Sequence, residues 1–318
     1  MHHLELRTTL LDKGSYGRAA APYKLLEVVG PEALEFLQRL CTQDLEGLAE
    51  GPVVPAGFLD AKGKLQFTVL VFRRGESFWL ETHAELWERL HELLERYHFT
   101  EKLAIHRREF GAVYEWVCAA DGAALTGACE WPTAGAGPVV KVTRRGVCFT
   151  RTHGGSPELA DAELTDELAE AARMLAGLVR VGVETEASTL ALEADRDDHC
   201  STSKGCYTGQ EIVARIHTYG HVNRKLCLLR LPAGDAITEP IALHEVEDDL
   251  PVGRVMHAVA VAGQDMRLGL GYLPQDFQAI GTGLTLAGDG DVQVIGFEAL
   301  PVDQPAASEA SAEDPPSA

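Results

Sequence analysis

Residues 199–225 read His-Cys-Ser-Thr-Ser-Lys-Gly-Cys-Tyr-Thr-Gly-Gln-Glu-Ile-Val-Ala-Arg-Ile-His-Thr-Tyr-Gly-His-Val-Asn-Arg-Lys, and the chain changes character across them. Downstream the helical signal vanishes. Lys225 to Leu231, Ile241 to Val246, Gly253 to Val261, Arg267 to Leu273 and Val292 to Phe297 are short apolar runs with turn residues between them, the pattern of a small barrel or sandwich. Upstream, helix and strand signals mix. Gly30-Pro31 opens a segment with Leu34, Leu37, Leu40 and Cys41 on one face, proline taking the tolerated first helical position. Phe67 to Phe72 and Ser77 to Glu81 flank a hairpin turn, and Thr82 with Glu85 has capping-box spacing before a helix carrying Leu86, Leu90 and Leu94. Val113 to Cys118, Val139 to Val142 and Val147 to Thr150 read as strands, Leu164 to Ala176 as a helix. With no strand-helix-strand series and no Gly-x-Gly-x-x-Gly loop, antiparallel α+β is expected rather than a doubly wound sheet.

The 318 residues are 46% hydrophobic and 24% charged, proportions of an ordinary globular protein, and the length favours two or three domains. No run approaches the roughly 18–20 apolar residues of a bilayer span, and the first residues lack the apolar stretch of a signal peptide, so a cytoplasmic protein off the membrane is expected. Against 48 acids stand 28 bases, and the formal charge of −20 disfavours direct nucleic-acid binding. The seven cysteines form no Cys-x-x-Cys pair and read as reduced, mostly core thiols. Residues 301–318, rich in proline and acid with almost nothing to bury, are expected to be a disordered tail.

Chemistry concentrates in the opening stretch. Thr208 and Glu211 make a second capping box, so a short helix is expected from Gly209. Cys206 then precedes a helix N-terminus, with Lys204 two residues away, and both features favour the thiolate; an inert buried thiol is the competing reading. Residues 184–198 carry six acids and one base, residues 204–230 five bases and one acid. Either an anion is received by the basic stretch or the two segments pair with each other. His199, Cys200, Cys206, His217 and His221 offer metal donors, but the spacing fits no structural zinc site and Gly220 should end the helix before His221, so no metal is expected. A Cys-His hydrolase lacks an evident third, orienting residue.

Lys204-Gly205-Cys206-Tyr207-Thr208-Gly209-Gln210-Glu211 resembles the signature of the YgfZ-type folate-binding proteins, relatives of the aminomethyltransferase (T-protein) of glycine cleavage. The similarity extends over about residues 24–300, through Gly30, Phe36-Leu37-Gln38, Thr42-Gln43-Asp44, Lys62-Gly63-Lys64, Arg180 and Val252-Gly253-Arg254-Val255. It implies two intertwined ferredoxin-like, antiparallel α+β domains over 1–223 and a C-terminal β-barrel over 224–300, around a central opening for tetrahydrofolate or a one-carbon derivative. Glu193 matches the family's pterin-facing glutamate and Arg224 its folate-side arginine, with Lys204 and Tyr207 nearby; Gly205, Thr208, Gly209, Gln210 and Glu211 would be structural. Two positions depart from the family: Ala191 stands where proline is frequent, and Gln66-Phe67 replaces the acidic pair credited with activating folate in the aminomethyltransferases. Phe67 cannot shift a proton, leaving Asp44 and Asp60, residues of the kind that usually cap turns, as substitutes. The resemblance therefore implies a monomeric folate-binding accessory protein supporting assembly or repair of iron–sulfur enzymes, tRNA-modifying ones included, with Cys206 as functional thiol. A folate-dependent aminomethyl-type transferase is the alternative, and a thiol redox protein the third reading.

Overall fold

The computed structural model describes residues 3–297 apart from 123, 133–135, 155–159, 248–249 and 287–289, so the expected tail at 301–318 lies outside the described residues. Helix α1 (His3–Leu10) and strand β1 (Ser15–Arg18) come first. There follow β2 (Tyr23–Val29), α2 (Ala33–Leu40), β3 (Val53–Leu59), β4 (Leu65–Arg74), β5 (Ser77–His83), α3 (Ala84–Tyr97) and β6 (Ala104–Arg108), whose strands form an antiparallel sheet ordered β3-β4-β5-β2-β6. A six-stranded sheet takes β7 (Val113–Ala119), β8 (Thr126–Glu130), β9 (Val139–Arg144), β10 (Val147–His153) and β11 (Ala162–Glu163), in the order β11-β1-β7-β10-β9-β8. Strand β1 thus leaves its sequence neighbours to pair antiparallel with β7 and parallel with β11, and that exchange intertwines the two halves.

After α4 (Asp166–Leu175), residues 176–209 hold only a single 3-10 turn at Asp197–His199 before α5 (Gln210–Tyr219). The chain then enters β12 (Arg224–Pro232), β13 (Ile241–His244), β14 (Pro251–Ala260), β15 (Met266–Pro274), β16 (Gly283–Leu286) and β17 (Asp291–Val294), a closed barrel ordered β12-β15-β14-β13-β16-β17. The α+β class with a terminal barrel is therefore the observed architecture.

Alternation along the barrel strands explains how it is joined to the rest. Cys227, Leu229 and Leu231 point inward with Leu243, Val255, Leu273 and Val292, while Leu226, Leu228, Leu268 and Leu270 point outward into the core shared with α4 and the sheets. Both faces of β12 and β15 are buried, so these strands form the boundary between two cores. Gly271 keeps the barrel narrow: a Cβ there would lie 2.6 Å from the Arg254 carbonyl oxygen and 2.8 Å from Leu229 Cδ1. Among the described residues no helix is long and apolar enough to cross a membrane.

Both expected capping boxes fail, for the same reason: tertiary pairing claims the residue. Thr82 remains in β5 opposite Lys24, its hydroxyl donating to the Thr68 carbonyl, and α3 begins at Ala84 with no side-chain cap. Thr208 donates its backbone N–H to the Arg39 carbonyl, and Gly209 takes the N-cap position of α5 with no side-chain bond. Pro31 precedes the first helical residue, Ala33, by two positions instead of occupying it. The true side-chain cap is Thr165, whose hydroxyl accepts from the Leu168 N–H at the start of α4.

Candidate functional site

The octapeptide is seated on the Asp60–Lys64 turn. Asp60 Oδ1 accepts from the N–H groups of Lys62 and Lys64 at 2.8 Å each, which closes the turn. Gly209, at φ +81°, crosses it so closely that a Cβ would lie 2.6 Å from the Asp60 carbonyl oxygen, and Gly63 faces Ile212 with the same lack of room. Lys204 is buried; its Nζ donates to the carbonyls of Cys41 at 3.0 Å and Gln43 at 2.7 Å, and it lies 5.3 Å from the Tyr207 ring centroid. Burial pushes the Lys204 pKa down. The ammonium is thus committed to two carbonyls of the loop after α2. Cys206 itself is exposed, unlike the mostly buried other cysteines. Tyr207 is buried with an unpartnered hydroxyl, and burial raises its pKa.

Glu193 and Arg224 are brought together at the mouth of the barrel. Arg224 Nε lies 3.5 Å from Glu193 Oε2 and its Nη1 3.7 Å from Glu186 Oε2, with the guanidinium 4.8 Å from the Tyr272 ring centroid. Glu193 Oε2 also accepts from the Leu190 N–H at 3.1 Å, and Leu226 N–H donates to the Glu193 carbonyl, fixing the carboxylate against β12. Its other oxygen, Oε1, has no hydrogen bond among the described residues. Tyr272 is buried with an unpartnered hydroxyl, and burial raises its pKa. Arg224, Val252, Arg254, Tyr272 and Pro274 line a cleft of about 270 Å³. Of the expected folate-site residues only Arg224 lines it; Glu193, Lys204 and Tyr207 do not, and Tyr207 opens on a separate pocket beside α5 with Ser201 and Val213.

The sorted charges prove to be facing segments. Arg224 pairs with Glu186 and Glu193, Lys225 with Asp195 at 3.6 Å and Arg254 with Glu186 at 2.9 Å, so the pairing reading accounts for the acids and bases that meet at the barrel. Arg215 and Arg230 stay exposed.

A second cavity, about 100 Å³, lies where the two sheets meet the 176–209 segment. Its walls include Tyr23, Thr68, Glu81, His83, Arg151, Arg173, Arg180, Arg196 and His199, none of which the sequence singled out as a group. Although burial pushes the Glu81 carboxyl up, Arg151 and His153 bring it down to about 2, through contacts of 2.5 and 2.7 Å. Burial holds His199 down at about 4, against the pull of Asp198, so its ring is neutral at pH 7. Arg196 is fully buried and donates to the carbonyls of Ala194 and Gly177.

The residues weighed as metal donors are split between core and surface. His199 bonds Asp198 inside the core, whereas Cys206, His217 and His221 lie at the surface. Glu170, Glu184 and His257 converge instead, but Arg173 bridges the two carboxylates at 2.7 and 2.5 Å and satisfies the charge a cation would meet. At the position of the family's acidic pair, Gln66 reaches the Lys64 carbonyl at 3.5 Å and Phe67 is buried edge-on to Phe58. Asp44 Oδ1 accepts from Gln38 and from the Glu46 N–H, so both remaining aspartates serve turns.

These features define a class before they define relatives. The fold is shared with the glycine cleavage system aminomethyltransferase T from Bartonella henselae, at a TM-score of 0.69 and 16% identity, covering 90% of this chain and 88% of that one. No protein-family model matches the chain. In sequence the chain is 29% identical over 265 residues to the tRNA-modifying protein YgfZ of Serratia proteamaculans, covering 76% of this chain and 79% of the relative. It is 28% identical over 233 residues to an iron-sulfur cluster assembly factor IBA57 homolog, mitochondrial, of Neurospora crassa, covering 65% of this chain and 52% of that one. The resemblance carried by the octapeptide is borne out: this chain is a homologue of the YgfZ-type proteins with the fold of the T-protein aminomethyltransferases.

Proposed function

We propose that the protein is a cytoplasmic, tetrahydrofolate-binding accessory factor that supports the assembly or repair of iron–sulfur enzymes, tRNA-modifying ones included. The names of its sequence relatives, a tRNA-modifying protein and an iron–sulfur assembly factor, support the process. The observation that carries the ligand is the barrel mouth. There a buried carboxylate keeps one oxygen free, beside an arginine and an unpartnered buried tyrosine hydroxyl. The chemistry suits a folate: Glu193 Oε1 can accept from the donor edge of a pterin with Arg224 beside it, and the adjoining cleft, which Glu193 does not itself line, offers Val252 and Pro274 as apolar cover and Arg254 as a cation for an anionic group. At about 270 Å³ the cleft is near the lower limit of small-molecule sites, roughly 300 Å³, whereas the inner cavity is well below it. Tetrahydrofolate, when bound, would supply a one-carbon carrier. Glu193 and Arg224 would hold it at the barrel mouth, Arg254 would meet an anionic group in the cleft beside them, and Cys206, exposed on the surface, would be the thiol offered to a client.

The transferase alternative needs a proton-handling group where Phe67 is buried, and Asp44 and Asp60 are occupied by their turns. Calorimetric titration with tetrahydrofolate under reducing conditions tests the reading. Saturable binding is expected, weakened about 10- to 150-fold by Arg224→Ala or Glu193→Gln, the equivalent of one charge-assisted hydrogen bond of about 1.5–3 kcal/mol. Absence of binding by the unsubstituted protein refutes the ligand, and catalytic turnover of methylene-tetrahydrofolate refutes the accessory role.

A further inference from the structure

Far from the barrel mouth, five registered positions cross the six-stranded sheet: Ser15 of β1, Cys118 of β7, Cys148 of β10, Thr143 of β9 and Thr126 of β8. The adjacent row, with Val117, Phe149 and Val142, is core, so these five project from the opposite face. Two thiols thus stand directly opposite on neighbouring antiparallel strands. Such partners have Cα atoms about 4.5–5.5 Å apart, inside the roughly 4.4–6.8 Å within which disulfides form. The two sulfurs differ in setting. Cys118 is half-buried and Cys148 buried. Each sulfur acts on the other, raising the Cys118 pKa and lowering that of Cys148; burial pushes both up, Lys141 pulls both down, and Thr143 and Thr150 lower Cys148 alone. Hydroxyls beside Cys148 and an ammonium acting on both sulfurs favour the thiolate, and the shared register puts the two cysteines within disulfide reach.

We propose that Cys118 and Cys148 are a redox-active dithiol that closes into a cross-strand disulfide by exchange with a small-molecule disulfide. Cys118, the more accessible sulfur, loses its proton to solvent and attacks one sulfur of the oxidant as the thiolate. A Cys118 mixed disulfide forms, the oxidant's S–S bond breaks, and one thiolate leaves. Cys148 then loses its proton to that thiolate and attacks Cys118 sulfur, expelling the second thiolate. Two electrons pass from the cysteine pair to one disulfide molecule, which becomes a thiol and a thiolate. No residue of the barrel mouth takes part, so the proposal is independent of the folate reading.

The test is equilibration of the full-length native protein in mixtures of reduced and oxidised glutathione, followed by acid quenching, alkylation and peptide mass mapping. A linked peptide lighter by two hydrogen atoms should join Cys118 to Cys148, its fraction rising with oxidised glutathione while alkylation at both positions is lost in parallel. Cys148→Ser should instead accumulate the glutathione adduct on Cys118. Free thiols at both positions in the most oxidising mixture would overturn the proposal, as would a glutathione adduct that persists on Cys118 of the unsubstituted protein. Because the decisive reading is taken on that unsubstituted protein, it stands even if the serine variant fails to fold.

Discussion

Lys204→Met separates the two roles that Lys204 can have. The substitution keeps most of the side-chain volume but removes the ammonium that bonds the carbonyls of Cys41 and Gln43. Each charge-assisted bond is worth about 1.5–3 kcal/mol, and each dry carbonyl left behind costs about 1–3 kcal/mol. Part of this is recovered, because the buried ammonium no longer has to be desolvated, a penalty visible in its lowered pKa. The net loss is about 2–4 kcal/mol. Urea unfolding followed by circular dichroism should report it as a lower midpoint with unchanged slope. Since Lys204 anchors the approach to α5, alkylation of Cys206 should accelerate in the same variant, while the dissociation constant for tetrahydrofolate stays within about twofold. A stability change below about 0.5 kcal/mol accompanied by lost folate affinity would refute the assignment and return Lys204 to the ligand.

Stability should also erode in acid in two stages. Burial holds the folded His199 pKa near 4, below its ordinary 6.5, so the unfolded chain binds that proton first and stability falls as pH drops from about 6.5 to 4. Glu81 and Glu184, buried yet brought to about 2 by Arg151 and Arg173, hold stability that is complete above about pH 4.5 and is lost as pH falls towards 2. Thermal melts across this range test both, and a flat profile between pH 7 and 5 would refute the first. Gly271→Val should overpack the barrel against Arg254 and Leu229 and cost about 1–3 kcal/mol in urea unfolding; a neutral result would show that the barrel can widen.

Features set by local periodicity were legible in the chain, and those set by distant partners were not. The strands β12, β14 and β15 could be read because turn residues bound runs of apolar positions. Strand β11, two residues long, and β1 have no run long enough to read; β1 is held by pairing with β7, and β11 by pairing with β1. Thr82 carried a helix-start pattern that pairing with β2 overrode. At the candidate site, Glu193 and Arg224 were found together because the resemblance marked both. The inner cavity went unseen because its charges meet across long separations, as with Glu81, Arg151 and His153, and nothing in local sequence links them. Lys204 was noticed for its place near Cys206, yet its partners lie on the loop after α2, beyond what spacing alone can reveal.

The double burial of β12 and β15 sets a timetable for biosynthesis. Leu226, Leu228, Leu268 and Leu270 complete the core that the N-terminal sheets begin, so that core stays open until the ribosome has delivered the last third of the chain. At about 5–20 residues per second, several seconds separate the emergence of α5 from that of β15, and throughout them the positions these leucines cover stay open to solvent. A chain that ended after α5 would lack these four leucines and leave the shared core incomplete.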